Sequence, residues 1–147
     1  MMNHLDYPNI EIWQERQQWF ENEIEVAQGQ GSYLLSEQAC ALTAEVQATF
    51  CSGAWAAVLI LAATVVEAQL REEITDFKGN AKGLIDAAGG EPQLHWLRRR
   101  RNSLVHANPD KPALTVDQQW TERDELEREA REAVRLMLDA LFMSPGT

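Results

Sequence analysis

Arg101, Asn102 and His106 stand in the spacing Arg-Asn-x-x-x-His, at the end of the run Arg98-Arg99-Arg100-Arg101-Asn102-Ser103-Leu104-Val105-His106. A guanidinium keeps its charge and can hold a phosphodiester. An imidazole can accept or donate a proton near neutral pH. Together they are equipped to cleave RNA without a metal. The histidine would take the 2′-hydroxyl proton or protonate the leaving 5′-oxygen, and arginine would stabilise charge on the phosphoryl oxygens. Asn102, one helical turn before His106, would orient the imidazole or a phosphate. Three histidines and two cysteines outside any cluster give no good metal site, so no metal or cofactor is expected.

These residues must be positioned by a helix. Pro92 suits its first turn, and Pro109 disfavours helix at Asn108. At 100° per residue, Leu94, Leu97, Leu104 and Val105 define a buried face with Arg101 at its centre. A buried, unpaired guanidinium would cost several kcal/mol. Glu67 is the expected partner, as the only charged residue between Gly53 and Leu70. His95, Arg99, Asn102 and His106 share a second, polar face, on which Arg99 is the best placed to touch phosphate. His95 and Arg98 are further candidates for substrate contact, although His95 reads more simply as a bystander. Arg98 and Arg100 are otherwise expected in solvent or paired with Glu125, Glu129 or Glu132. Arg101 and His106 lie about 140° apart on a regular helix. Either the helix frays near His106, or the two act from different sides of a phosphate lodged at an interface. The second option suits a homodimer whose two-fold axis brings two such helices together.

The remaining elements read as helices throughout. The first runs from about Asn9 to Ala27, with Ile10, Trp13, Phe20, Ile24 and Ala27 on one stripe and an acidic opposite face. Ser36 is an expected N-cap for a helix with Ala39, Leu42, Val46 and Phe50 inward. Ser52-Gly53 marks a break. A helix from about Ala54 to Ile74 is apolar nearly all round and belongs at the centre. A short helix spans Ala81 to Ala88. Asn108 to Trp120 is the longest loop. Thr121 with Asp124 resembles a capping box opening a last helix to about Met143, with Leu126, Ala130, Ala133, Met137 and Leu141 on its seam. The fold class is therefore all-α: one domain over residues 1–147, built as a bundle of four to five main helices plus a short helix.

The 147-residue chain carries a net charge of −10, which argues against a broad nucleic-acid groove. The acid is uneven, however. Residues 98–101 hold four of the thirteen Lys and Arg, so a confined anion site or partner contact is expected. Cys40 and Cys51 read as small core residues of a reducing, cytoplasmic compartment. No signal-peptide order stands at the N-terminus, and the thirteen-residue apolar run Ala54 to Val66 is short of the roughly 20 residues that span a bilayer, so no membrane partner is expected. The five tryptophans read as core or interface anchors, with Trp96, off the leucine stripe, at a dimer contact.

Arg101-Asn102-Ser103-Leu104-Val105-His106 resembles the motif of the HEPN domain family, small helical bundles whose late helices carry Arg-(polar)-x-x-x-His. Trp55 to Glu73, with Glu67 inside it, is similar to the family's central apolar helix. Leu126-Glu127-Arg128-Glu129-Ala130-Arg131-Glu132-Ala133 is similar to its last helix. The resemblance covers roughly residues 36–143, behind an acidic amphipathic helix at about 9–27. It implies a homodimeric, metal-independent endoribonuclease of the toxin or antiviral class. Arg101 and His106 would be catalytic and Asn102 supporting, with RNA as substrate and an antitoxin or regulatory protein as partner. Other members of the family are non-catalytic modules that bind nucleotide, nucleic acid or protein, which is the alternative. A plain interaction bundle, its arginines on an acidic partner, is a third. In the structural readings Arg101 is an ion-pair member and His106 a residue that favours a helix C-terminus.

Overall fold

The computed structural model describes residues 5, 7–29, 31, 33 and 35–143. Among them are seven helices: α1 (Ile10–Gln28), α2 (Glu37–Ser52), α3 (Trp55–Glu73), α4 (Ala81–Ala87), α5 (Pro92–Val105), α6 (Val116–Thr121) and α7 (Arg123–Leu141). The protein is an all-α bundle. None of these helices is long and apolar enough to cross a membrane.

The centre is α3, which packs against α2, α7, α5 and α4. Its apolar residues on nearly every face explain that position. Trp55, Val58, Leu59, Ala62, Val65, Val66 and Leu70 are all buried. α7 instead carries one stripe, with Leu126, Ala130, Ala133, Met137 and Leu141 buried on it. Alanines 62, 130 and 133 are fully buried, and their small side chains let helices approach closely. Phe50 anchors the other end of the core, stacked on Trp19 at 4.8 Å and edge-on to Trp55 at 5.3 Å.

Local signals set the ends of these elements. Ser36 caps α2 by accepting the Ala39 amide, and its own buried amide donates to Gln69 Oε1 at 2.9 Å. Gly53 closes α2 at φ 81°, a conformation that favours glycine. Asn80 caps α4 through the Gly83 amide.

Three expectations are corrected. The longest loop ends sooner than residue 120, because Thr115 and Gln118 form a full capping box that opens α6, and the last helix, α7, begins at Arg123 rather than at Thr121. Thr121 ends α6 and opens nothing. Ile10 is 66% exposed, since the first turn of α1 presents it to solvent rather than to the core. Cys40 is exposed while Cys51 is buried, so only the latter is a core residue. Trp96 packs partly buried against the core of its own chain.

Candidate functional site

α5 is held against α3 by Leu94 and Leu97, both buried, and by Leu104, which packs on the core. Pro92 occupies its first turn. It ends at Val105, which the periodicity places on the buried face but which is exposed, because the helix stops there. His106 is the C-cap, with extended backbone (φ −108°, ψ 105°). The imidazole has therefore left the helix, and the angle of a regular helix no longer fixes where it points. Its side chain is exposed, and no described group hydrogen-bonds to it.

Asn102 joins the two ends of the motif. Its side-chain oxygen accepts from Arg101 Nη1 at 3.2 Å, and its carbonyl accepts the His106 amide at 2.9 Å. The Asn102 amide nitrogen is left to donate outward. Arg101 is half-buried, and its Nε is fully buried without a hydrogen-bond partner.

The expected pairing of Arg101 with Glu67 is not formed. Glu67 binds Arg71 at 2.9 Å, one turn along the same helix, and Arg71 also donates to the Gly79 carbonyl at 3.0 Å. A neighbour at i+4 needs less ordering than a side chain from another helix, and the second anchor fixes it further. Glu67 and Arg101 instead face the same cavity of about 20 Å³, with Arg98, Ala63, Leu84 and Leu97 also lining it. That volume is enough for about one water.

The arginine run divides by partner. Arg100 pairs with Glu129 of α7, with Nε 3.0 Å from Oε1 and Nη2 donating to Oε2 at 3.1 Å, so it ties α5 to α7 as expected of it, although its buried Nε, like that of Arg101, has no well-aligned hydrogen-bond acceptor. Arg98 turns away from the last helix and reaches His95 Nδ1 at a long 3.4 Å. His95 Nε2 lies 2.7 Å from Asp86 Oδ1. Both ring nitrogens are thus engaged within the chain: Nδ1 accepts from Arg98, and Nε2 carries the proton shared with Asp86. His95 orders the α4–α5 junction and is not free to contact a substrate in this state. Arg99 is exposed. Arg98, Arg99 and Arg101 make no ion pair with a described carboxylate.

Arg101, Asn102 and His106 thus stand at the C-terminal end of α5, where Arg101 and Asn102 are joined by their side chains and the His106 ring has no described hydrogen-bond partner, with Arg99 exposed on the same helix. Glu67 and His95 are held by partners of their own, although Glu67 lines the same cavity as Arg101. Chemically, this end offers fixed positive charge, an amide donor and a solvent-facing acid–base group. Among the described residues, no three His, Cys, Asp or Glu side chains are grouped as metal ligands would be.

The sequence reading passed over a second arginine group. Arg16 of α1 and Arg123 of α7 lie over the Trp55 ring at 4.8 and 5.7 Å from its centroid. The available signal was Arg16 itself, three residues after Trp13 and four before Phe20, on the apolar stripe of α1. Comparison with protein-family models, with curated proteins and with solved structures finds no match to this chain.

Proposed function

We propose that the protein is a HEPN-like, metal-independent endoribonuclease whose site forms where the α5 ends of two copies meet. The observation that carries this reading is an exposed imidazole without a described partner, at the end of a helix bearing three arginines unneutralised by described carboxylates. In a chain of net charge −10, acids to neutralise them are plentiful. Arginines left without ion pairs there suit an external anion.

The 2′-oxygen of the RNA attacks the adjacent phosphorus, and the bond from phosphorus to the 5′-oxygen breaks. One His106 accepts the 2′-hydroxyl proton, and the partner subunit's His106 gives a proton to the leaving 5′-oxygen. Arg101 and Arg99 stabilise the charge that builds on the non-bridging oxygens. Asn102 holds Arg101 in place and offers its amide to the phosphate. Two copies are needed because each chain supplies one histidine at this end of α5, and the step moves two protons.

The second reading, a non-catalytic module of the same bundle that binds nucleotide, nucleic acid or protein, is favoured by the partial burial of Arg101. Cleavage of RNA in EDTA by the wild type, Arg101→Ala and His106→Ala separates the two. The proposal expects folded variants that have lost cleavage. Equal cleavage by His106→Ala overturns it, and RNA binding without any cleavage by the wild type selects the second reading.

A further inference from the structure

Of the ten arginines, Arg71, Arg100, Arg128, Arg131 and Arg135 pair with carboxylates. Three of the other five lie on α5. The last two, Arg16 and Arg123, come from helices at opposite ends of the sequence and meet at the α2–α3 turn. Arg16 Nη1 donates to the Cys51 carbonyl at 3.1 Å, and Arg123 Nη2 donates to the Gly53 carbonyl at 2.6 Å. A Cβ at Gly53 would stand 3.0 Å from Arg16 Nη1 and 3.3 Å from Arg123 Nη2, so both tips crowd one point.

Two like charges are thus held close together. Glu127 and Glu15 act favourably on Arg16, and Glu127 on Arg123, but neither carboxylate pairs directly with them, and Glu127 is bound by Arg131 at 2.9 Å. The C-terminal end of α2 offers about half a negative charge against two full positive ones. Burial pushes both guanidinium groups below their usual range, and Arg16 pushes Arg123 lower still. Each guanidinium has five N–H groups, and most of them remain free of described partners. Beside Arg123 is a cleft of about 150 Å³, whose lining includes Trp55, Gln119, Leu114 and Leu126. Arg123 is the charged residue of that mainly apolar lining, and Arg16 stands outside it.

We propose that Arg16 and Arg123 form an anion site separate from α5, which binds a phosphate-type oxyanion at the α2–α3 turn. Two guanidinium forks match the several oxygens of such an ion. The ion would join α1, α7 and the α2–α3 turn, and so stabilise the bundle when bound.

The test is thermal unfolding of the full chain with inorganic phosphate, at constant ionic strength set by chloride. At a tenfold excess over Kd, the wild type should gain about 4 °C in Tm. The gain should fall in Arg16→Gln and Arg123→Gln and persist in Arg128→Gln, a surface arginine outside both sites. No phosphate-specific gain in the wild type overturns the proposal. So does a gain that is unchanged in both Arg16→Gln and Arg123→Gln or is lost in Arg128→Gln. Should the Gln variants fail to fold, the side-chain Nε–H NMR signals of the wild type decide. Those of Arg16 and Arg123 must move with phosphate while that of exposed Arg128 stays, and stationary Arg16 and Arg123 signals refute the site.

Discussion

Replacing Arg101 by methionine separates the two reasons a chain keeps a half-buried arginine. If Arg101 is a structural tie, Met weakens the fold. If it is kept for an external anion, Met relieves the fold and removes the chemistry. The magnitudes follow from its surroundings. The Nε of Arg101 is buried with no partner, and an orphaned donor costs about 1–3 kcal/mol. The one side-chain hydrogen bond lost, from Nη1 to Asn102 at 3.2 Å, is worth about 0.5–1.5 kcal/mol. No ion pair to a described carboxylate is lost. Met is unbranched and flexible, and it keeps apolar contact with the cavity lined by Ala63, Leu84 and Leu97. The expected balance is a gain of about 1 kcal/mol, or about 3 °C in Tm. Equilibrium unfolding in urea reads this as a higher midpoint at unchanged slope. RNA cleavage by the same folded variant should fall about 100-fold or more, the usual cost of losing one charge-stabilising donor. A loss of stability above about 1 kcal/mol at unchanged slope would refute the reasoning and make Arg101 a structural member of α5.

Three further outcomes are expected. Glu129→Gln leaves Arg100 without its carboxylate, and with side chains only 20% and 14% exposed the pair should cost about 2 kcal/mol in urea unfolding when broken. Arg99→Gln should change stability by less than about 0.5 kcal/mol, because the side chain is exposed and outside any described ion pair, yet lower the salt slope of RNA binding by about 1. Burial, with Glu132 and Glu23 behind it, pushes the Asp139 carboxyl above its usual range. The folded state then holds that proton more tightly than the unfolded chain, so stability from this group falls as pH rises through the folded value. Asp139→Asn should raise Tm at about pH 7 and leave it unchanged at about pH 3, where both states are protonated.

Much of the bundle was legible because its signals are local. Ser36 before Ala39, Gly53 after the α2 stripe and Pro92 at the first turn of α5 each act within a few residues, and each sits where the pattern placed it. α3 was legible from its apolar residues alone. The misreadings have one physical origin: they concern choices between several possible partners. Glu67 could reach along its own helix or across to Arg101, and the choice depended on the Gly79 carbonyl, which gives Arg71 a second anchor. Thr121 with Asp124 reads as the cap in the sequence, while Thr115, with a Gln three residues on to return the bond, was passed over. At the candidate site, helical periodicity grouped His95 with Asn102 and His106. It could not show that Asp86, on another helix, already holds that ring. The Arg16–Arg123 convergence joins positions 107 residues apart in the sequence, and no periodicity reports such a meeting.

The central claim is that the C-terminal end of α5 cleaves RNA through His106 without a metal. The most direct measurement is the chemistry of the product ends after incubation of RNA with the folded protein in EDTA. The expected ends are a 2′,3′-cyclic phosphate on one fragment and a 5′-hydroxyl on the other. Cleavage should be absent with His106→Ala and at a nucleotide whose 2′-hydroxyl is replaced by hydrogen. Cleavage by His106→Ala at the wild-type rate, or equal cleavage of the 2′-deoxy substrate, would contradict the claim.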